Sequence, residues 1–242
     1  IATAAWKDKG LFRLDVPEFI PYLCTGCMEC AIACPDAAIP NTVHEIHDLI
    51  NAGIAELEIP APQKHALSDL VIPLSNVVRE TYRKLPAKDP KPFSEVVADA
   101  GFQMDIGMDF GSSTTTRENF AKLVAVLAKF HVAKTRPFFD AMEKLMPGSG
   151  GLYSVVVDPW KCTGCLECVD VCGPKALVER VQTPEMARKL EEGLTFLTHL
   201  PNTPTRFFNT ALASGGDTKR MMLDHKNYYA LTGGHGACRG CG

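Results

Sequence analysis

The pattern of apolar and polar positions changes its period along this 242-residue chain, and each period predicts a different kind of element. Residues 11–16 alternate between apolar and polar, and residues 152–158 are rich in β-branched side chains, so both are predicted to be strands. Pro17 is expected to end the first strand. Short apolar pieces follow in both places, at residues 37–39 and 175–178. The two regions are therefore predicted to be an internal repeat.

Between the repeats, residues 41–149 have apolar side chains at helical spacing and are predicted to form a large, mainly helical insertion. A first helix is predicted over residues 43–54. A second apolar run, at residues 67–78, is expected to be broken or kinked by Pro73. The strongest helical stripe lies in residues 116–130, with Ser and Thr residues before it as caps. Strands and helices together predict an α+β fold.

The later segments are shorter and more polar. A helix predicted at residues 137–146 precedes a turn rich in Pro and Gly at residues 147–151, which marks the return to the second repeat. An amphipathic helix is predicted at residues 184–200 and is ended by the prolines of residues 201–204. Residues 183–232 as a whole are predicted to be a connecting arm.

Composition and charge exclude several classes of function. Charged residues make up 22% of the chain and the net charge is −3, so we expect no general attraction to nucleic acid or to an anionic membrane. No apolar run reaches the length of a membrane span. The chain starts at Ile1, without a methionine or a signal-peptide pattern, which favours a translation start further upstream.

Ten cysteines are bunched rather than spread, which favours metal binding over the disulfides of a small secreted fold. Two runs have C-x2-C-x2-C-x3-C spacing, and a proline follows each run directly or after one residue. The first run contains Cys24, Cys27, Cys30 and Cys34, and the second contains Cys162, Cys165, Cys168 and Cys172. This spacing is typical of proteins that bind [4Fe–4S] clusters.

The fourth cysteine of each run is expected to bind the cluster of the other run, as in two-cluster ferredoxins. Three cysteines at i, i+3 and i+6 wrap one cubane, whereas the fourth starts a short helix and cannot fold back onto the same cubane. Cluster 1 is therefore predicted to be bound by Cys24, Cys27, Cys30 and Cys172. Cluster 2 is predicted to be bound by Cys162, Cys165, Cys168 and Cys34. The two runs must then lie side by side.

Zinc is the main alternative for these cysteines. Zinc ribbons and knuckles usually have two separated cysteine pairs, because one tetrahedral ion needs only four ligands. The doubled run with its prolines favours iron–sulfur clusters. The small residues Thr25, Gly26, Thr163 and Gly164 agree with this, since they let backbone N–H groups approach the sulfurs.

A third, incomplete cysteine pair lies in the Gly-rich end of the chain, at Cys238 and Cys241. Two cysteines cannot hold a cubane alone. The pair is therefore a redox dithiol, half of a zinc site, or part of a cluster whose other ligands lie outside this sequence. The glycines around it favour the last of these, so we expect the protein to continue beyond Gly242.

The order of these motifs resembles the thiamine-diphosphate-dependent 2-oxoacid:ferredoxin oxidoreductases, the family of pyruvate:ferredoxin oxidoreductase. The resemblance lies in residues 16–19 before Cys24, in residues 34–39, and in the Gly-rich end. It implies a ferredoxin-like domain with two [4Fe–4S] clusters at residues 1–40 and 150–182. It also implies that residues 233–242 begin the thiamine-diphosphate domain.

In that family the terminal cysteine pair supplies two ligands to a third cluster beside the thiamine cofactor. The resemblance thus implies that Cys238 and Cys241 are ligands of a third [4Fe–4S] cluster, with Gly236 and Ala237 at the cofactor. The remaining ligands and the Mg²⁺ and thiamine diphosphate site would lie outside the chain. No catalytic residue is expected in this segment.

The implied function is electron transfer within an enzyme that converts a 2-oxoacid such as pyruvate and coenzyme A into an acyl-CoA and CO2. The partners implied are the rest of that oxidoreductase and a ferredoxin or flavodoxin as acceptor, in the cytoplasm, with no nucleic acid and no membrane. The alternatives are a free-standing two-cluster ferredoxin, an iron–sulfur wiring subunit of another redox complex, or a zinc-stabilised interaction module.

The insertion contains other candidate metal ligands. His44 and His47 are three positions apart on a predicted helix, but no third ligand is evident, so a surface or packing role is favoured. The same holds for Asp105, Asp109 and Glu118. The insertion is expected to dock against neighbouring domains or to shape the place where the electron acceptor binds.

Overall fold

The computed structural model describes residues 13–86, 88–106, 114–209 and 216–224. Its helices are α1 (Glu29–Ala33), α2 (Ile46–Glu56), α3 (Ala61–Ser68), α4 (Val71–Lys84), α5 (Phe93–Gln103), α6 (Thr114–Leu127), α7 (Ala141–Leu145), α8 (Glu167–Asp170), α9 (Pro184–Thr198) and α10 (Asp217–Met222). Its strands are β1 (Asp15–Phe19), β2 (Asn41–His44), β3 (Val132–Ala133), β4 (Leu152–Val155) and β5 (Leu177–Val181). This mixture of helices and strands confirms the predicted α+β class.

The two repeats pair with each other, strand by strand. β1 pairs antiparallel with β5, and β2 pairs antiparallel with β4, to which β3 adds a third strand. Asp15 lies opposite Val181 in the first sheet, and Tyr153 lies opposite Val43 in the second. Each repeat therefore contributes one strand to each sheet. This exchange of strands brings the two cysteine runs into the same part of the molecule.

The first strand differs from its prediction at Pro17. β1 continues through Pro17 to Phe19 instead of ending before it. A proline cannot donate a backbone hydrogen bond, but both strands of a two-stranded sheet are edge strands, where one side needs no donor. Residues 11 and 12, which were predicted to start the strand, lie outside the described residues.

A large hydrophobic core lies among α2 to α6, within the segment predicted to be helical. α2 packs against α4 and α6, and α5 packs against α4 and α6. Residues at helical spacing are completely buried there, for example Leu49 and Ile50 of α2 and Leu123 of α6. The predicted helix at residues 116–130 is confirmed as α6, and Phe130 packs into the same core just after the helix ends. None of the described helices has the length and apolarity to span a bilayer.

Three boundaries in this segment differ from the predicted ones. Val43, assigned to the first helix, lies in β2, and the helix begins only at Ile46. The segment predicted as an insertion from residue 41 therefore begins with a strand of the paired sheets. The apolar run at residues 67–78 is interrupted before Pro73, at Asp69 and Leu70. Pro73 lies in the first turn of α4, where its missing N–H has no helical acceptor to lose.

The segment from residue 136 to residue 145 confirms the short helix predicted there, with a difference in its first turn. Arg136–Asp140 is a π-helical turn, and α7 follows it directly. The turn buries Phe138 and Phe139 completely, so that Phe138 faces the first cysteine run. Leu145, an apolar residue near the end of the predicted helix, is 80% exposed.

Helix α9 confirms the amphipathic helix predicted at residues 184–200, and Thr183 caps it. The Thr183 side-chain oxygen accepts a hydrogen bond from the Met186 N–H at 3.1 Å. We expect Thr183→Ala to lower the free energy of unfolding by about 1 kcal/mol, because that N–H loses its acceptor. Urea unfolding followed by circular dichroism measures the change. Thr195→Ala on the exposed side of the same helix is the control and should leave stability unchanged, so equal losses in both variants would contradict a capping role.

Candidate iron–sulfur site

The two cysteine runs have the same backbone conformation. Gly26 and Gly164 occupy equivalent positions and have φ angles of 73° and 72°. Two residues further, Met28 and Leu166 have φ angles of 66° and 61°, in the left-handed region that residues other than glycine rarely adopt. Agreement at these positions indicates that both runs fold as copies of one loop.

The fourth cysteine of each run accepts the same backbone hydrogen bond. The N–H of Ala38 donates to Cys34 Sγ at 3.2 Å, and the N–H of Ala176 donates to Cys172 Sγ at 3.1 Å. The turn after the second run therefore matches the first, although Gly173 precedes its proline. Hydrogen bonds to sulfur stabilise the thiolate and help to set the potential of a bound cluster.

Each fourth cysteine lies beside the cysteines of the other run. Burial, the largest cause, raises the pKa of the Cys24 thiol to about 12, and the nearby Cys172 contributes to this shift. Burial also raises the pKa of the Cys168 thiol to about 12, and Cys34 is the next largest cause. Cys34 interacts with Cys162 as well. The structure thus brings together the cysteines that crossed pairing requires.

The two groups of cysteines adjoin each other. α1 of the first run packs against α8 of the second. Cys30 and Cys168 lie on these helices and are both buried. Burial, followed by the charges of its neighbours, raises the pKa of the Cys30 thiol, and Cys168 is one of those neighbours. Groups bound at the two places would therefore be close to each other.

Both loops are tightly covered at their glycines. A Cβ on Gly26 would lie 3.2 Å from the ring of Phe138 and 3.2 Å from Thr135 Oγ1. A Cβ on Gly164 would lie 2.7 Å from the carbonyl oxygen of Asp15. Because these glycines also have positive φ, another residue would strain the loop and displace its cover.

The thiols are available for metal binding, since the eight described cysteines are all free. Within the described ranges, no group of three or more His, Cys, Asp or Glu side chains surrounds a point where a single metal ion could bind. A [4Fe–4S] cluster receives its four thiolates at different iron corners, so its ligands surround a larger body. The doubled loops, the buried thiols and the N–H donors to sulfur fit such a cluster.

Burial makes the charged form of these thiols unfavourable in the protein alone. It is the largest cause that raises the pKa of Cys34 and of Cys162, while backbone N–H groups act in the opposite direction. Iron supplies the positive charge that offsets this desolvation, and a coordinating thiol loses its proton. Loading of the site is therefore expected to release protons.

Two buried polar residues beside Cys30 were not identified from the sequence. Asn41 Oδ1 accepts hydrogen bonds from the Tyr153 hydroxyl and from Cys30 Sγ, the latter at 3.7 Å. Burial, followed by the charges of Cys30 and neighbouring thiols, raises the pKa of the Tyr153 hydroxyl. Asn41 and Tyr153 are 112 positions apart, so no local motif could have linked them.

The histidines of the predicted first helix are not brought together on one helix. His44 is buried in β2 and shares a hydrogen bond with Thr42 at 2.7 Å. His47 lies in α2 and pairs with Glu45 and Asp48 at 3.2 and 3.3 Å. The prediction that both histidines lie on one helix was thus wrong, because β2 ends at His44 and α2 begins only at Ile46. The complete burial of His44 agrees with the packing role that the sequence favoured.

Several residues with predicted roles lie outside the described residues. These are Cys238 and Cys241 of the third pair, Gly236 and Ala237 beside it, and Asp109. Asp105 and Glu118 are described and belong to no group that could hold a metal ion. The candidate site therefore consists of the eight described cysteines and the residues around them.

Comparison with known proteins agrees with this site. The family profile of the 4Fe-4S binding domain matches residues 17–39, which contain the first cysteine run. The chain therefore contains an iron–sulfur binding domain. No solved structure gave a significant match.

Two curated proteins are similar to parts of the chain. The pyruvate:ferredoxin oxidoreductase of Moorella thermoacetica is 31% identical over 104 residues, which are 43% of this chain and 8% of that protein. The pyruvate-flavodoxin oxidoreductase of Klebsiella pneumoniae is 44% identical over 54 residues, which are 22% of this chain and 4% of that protein. The chain spans less than a tenth of the length of these relatives.

Proposed function

We propose that the chain is the electron-transfer segment of a 2-oxoacid oxidoreductase, and its confirmed resemblance to the pyruvate:ferredoxin oxidoreductase family supports this proposal. In this proposal the two cysteine runs hold two [4Fe–4S] clusters. Cluster 1 is bound by Cys24, Cys27, Cys30 and Cys172, and cluster 2 by Cys162, Cys165, Cys168 and Cys34. The chain relays electrons and performs no carbon chemistry.

The observation that carries the proposal is that each fourth cysteine lies near cysteines of the other run, which supports an exchange of the fourth ligands. Cys172 lies beside Cys24, and Cys34 lies beside Cys162 and Cys168, although the two runs are far apart in the sequence. One zinc ion per run would need no such exchange, because each run already contains four cysteines. The exchange supports two clusters that share their fourth ligands.

The protein provides ligands, hydrogen bonds and a dry environment in this proposal. When bound, each cluster accepts and releases one electron at a time. The N–H groups of Ala38 and Ala176 stabilise the fourth thiolates. Met28 and Phe138, which are almost completely buried, keep water away from the first run. Burial and hydrogen bonding are the levers by which proteins set cluster potentials.

The rest of the enzyme completes the proposed electron path. Cys238 and Cys241 would supply two ligands of a third [4Fe–4S] cluster, and Gly236 and Ala237 would lie beside thiamine diphosphate and Mg²⁺ held by other parts of the enzyme. A 2-oxoacid such as pyruvate and coenzyme A would be the substrates. Ferredoxin or flavodoxin would accept the electrons, in the cytoplasm.

Metal and sulfide analysis of the intact, anaerobically purified protein tests this proposal. We expect iron and acid-labile sulfide in equal amounts, zinc below either, and a brown colour that dithionite bleaches. Addition of pyruvate and coenzyme A should bleach the same colour, because the proposed substrates reduce the clusters.

Each alternative gives a different result in that analysis. A colourless protein with stoichiometric zinc and no sulfide would contradict the clusters and favour a zinc-stabilised module. Clusters that dithionite reduces, but that no 2-oxoacid reduces in the presence of coenzyme A, would contradict the assignment to a 2-oxoacid oxidoreductase. They would leave the free-standing carrier or a wiring subunit.

A further inference from the structure

A buried hydroxyl beside the first cysteine loop has no hydrogen-bond partner within the described part of the chain. It belongs to Thr135, of which only 1% is exposed. Thr135 Oγ1 lies 3.2 Å from the position that a Cβ on Gly26 would occupy, and Gly26 lies between Cys24 and Cys27 in the sequence. A hydroxyl that is removed from water without a partner makes folding less favourable, so a partner is expected at this place.

The local backbone does not use this hydroxyl. Thr135 directly precedes the π-helical turn Arg136–Asp140, and a threonine at such a position usually accepts a hydrogen bond from the second or third N–H of the helix. The second residue here is Pro137, which has no N–H, and the Thr135 side chain makes no capping hydrogen bond. The backbone carbonyl of Thr135 accepts from the N–H of Phe139 at 2.9 Å instead. The turn is thus closed without the hydroxyl.

Two contacts with Tyr153 hold Thr135 against the first loop. Before Thr135, Ala133 in β3 pairs with Tyr153 in β4. After it, the ring of Phe138 stacks on the ring of Tyr153, with the ring centroids 5.2 Å apart. Phe138 and Tyr153 are completely buried. The Thr135 hydroxyl is therefore held in the interior, where the protein or a bound group must supply its partner.

The second loop has a different neighbour at the equivalent glycine. The atom nearest to a Cβ on Gly164 would be the carbonyl oxygen of Asp15, at 2.7 Å, and a carbonyl oxygen can only accept a hydrogen bond. The hydroxyl of Thr163 in that loop already donates to the carboxylate of Asp36 at 2.7 Å. Among the described residues, the buried hydroxyl that keeps its proton available lies at the first loop.

Building on the proposed function, we propose that the Thr135 hydroxyl donates a hydrogen bond to a sulfur atom of cluster 1 and thereby raises the reduction potential of that cluster. The sulfurs of a bound cluster are acceptors that this loop would supply. A reduced cluster has one more negative charge than the oxidised one, so the donated bond is stronger in the reduced state. On reduction the cluster gains one electron from the reductant, and the hydroxyl keeps its proton.

Redox titration of the intact, anaerobically purified protein, followed by EPR spectroscopy, tests the effect on the potential. Thr135→Val replaces the hydroxyl by a methyl group and should make cluster 1 harder to reduce by about fivefold, which is about 40 mV for a one-electron couple. Thr135→Ser keeps the hydroxyl and should retain most of the original potential. Cys24→Ser, which changes a proposed ligand of cluster 1, identifies the signal of that cluster.

Ser75→Ala is the matched control. Ser75 also has a buried hydroxyl without a hydrogen-bond partner among the described residues, but it lies on α4, in the helical segment. We expect Ser75→Ala to leave both potentials unchanged. Cluster 2 is a second reference, because Thr135→Val should leave its potential unchanged.

Pulsed ENDOR spectroscopy of reduced cluster 1 detects the proposed proton directly. After a brief transfer into D2O, a hydroxyl proton exchanges, whereas backbone protons in hydrogen bonds exchange more slowly. We expect one rapidly exchanging proton coupled to cluster 1 in the unsubstituted protein and in Thr135→Ser. That coupling should be absent in Thr135→Val.

The outcomes distinguish this inference from the proposed function. Equal shifts in potential in Thr135→Val and Thr135→Ser, or no shift in Thr135→Val, would overturn the inference. A rapidly exchanging proton that persists in Thr135→Val would belong to water and would also overturn it. Should Thr135→Val fail to retain iron, ENDOR of the unsubstituted protein decides, because the absence of any such proton there contradicts the hydrogen bond. An intact protein without any iron–sulfur signal would instead contradict the proposed function.

Discussion

Replacing Cys172 with alanine is expected to remove or disrupt the cluster that the first run holds, and to leave the cluster of its own run intact. Cys172 follows Cys168 in the sequence, but its thiol lies beside Cys24. If crossed ligation holds, Cys172→Ala deprives cluster 1 of a thiolate, while cluster 2 keeps all four ligands. The loss should be about four iron atoms per chain.

EPR signals assign the loss to one of the two clusters. The signal that disappears in Cys172→Ala should be the one that disappears in Cys24→Ala, and the signal that remains should be the one that disappears in Cys165→Ala. Val171→Ala is the matched control, because Val171 is the exposed neighbour of Cys172 and has no thiol. Loss of the signal shared with Cys165→Ala would show that each run binds its own cluster.

The cysteine runs were informative in the sequence because their spacing has a local physical cause. Three cysteines at i, i+3 and i+6 were expected to wrap one cluster, and both runs form the same loop, with Gly26 and Gly164 at φ angles of 73° and 72°. The expectation that the fourth cysteine starts a short helix was wrong, because Cys34 follows α1 and Cys172 follows α8, so that each short helix holds the third cysteine of its run instead. The α+β class followed similarly from period-2 and helical patterns.

The predicted element boundaries that were wrong lie at positions where tertiary structure decides between a strand, a helix and a turn. A proline often ends a strand, but Pro17 is tolerated inside β1 because β1 and β5 form a two-stranded sheet of edge strands. Val43 fitted the helical pattern of the following residues, yet it is completely buried in β2 opposite Tyr153. The pairing that decides this case joins segments about a hundred positions apart, and no single-sequence pattern encodes it.

The polar residues around the site could not be predicted for the same reason. Arg13 lies 149 positions from Cys162, whose carbonyl oxygen accepts one of its hydrogen bonds. Tyr153 and Asn41 are joined only by the exchange of strands between the repeats. Such contacts depend on how the two repeats pack against each other in space, and the spacing of residues within either repeat does not reveal them.

Replacing Glu143 with glutamine is expected to lower the free energy of unfolding by about 3 kcal/mol. The Glu143 side chain is 8% exposed and accepts hydrogen bonds from Arg79 and Arg83 at 2.7 and 2.8 Å. The N–H groups of Gly148 and Gly150 donate to the same carboxylate. These contacts tie α4 to the loop that leads into β4. Glutamine would leave the buried Arg79 without its anion.

The dependence of this effect on pH follows from the pKa of the Glu143 carboxyl. Burial alone would raise this pKa. Hydrogen bonds from the backbone N–H groups of Gly148 and Gly150 and from the side chains of Arg83 and Arg79 have the opposite effect, and they lower the pKa from 4.5 to about 2. Because the pKa is lower in the folded protein, the stabilisation is complete above pH 4.5 and is lost as the pH falls towards 2.

Anaerobic urea unfolding of both proteins measures the difference in stability. The gap between the unsubstituted protein and Glu143→Gln should be constant near neutral pH and should narrow only below pH 4.5. Glu80→Gln is the matched control, because Glu80 pairs with the same Arg83 but is 53% exposed. An exposed pair contributes less than about 1 kcal/mol, so a Glu143→Gln effect no larger than that of Glu80→Gln would contradict the role of the buried carboxylate.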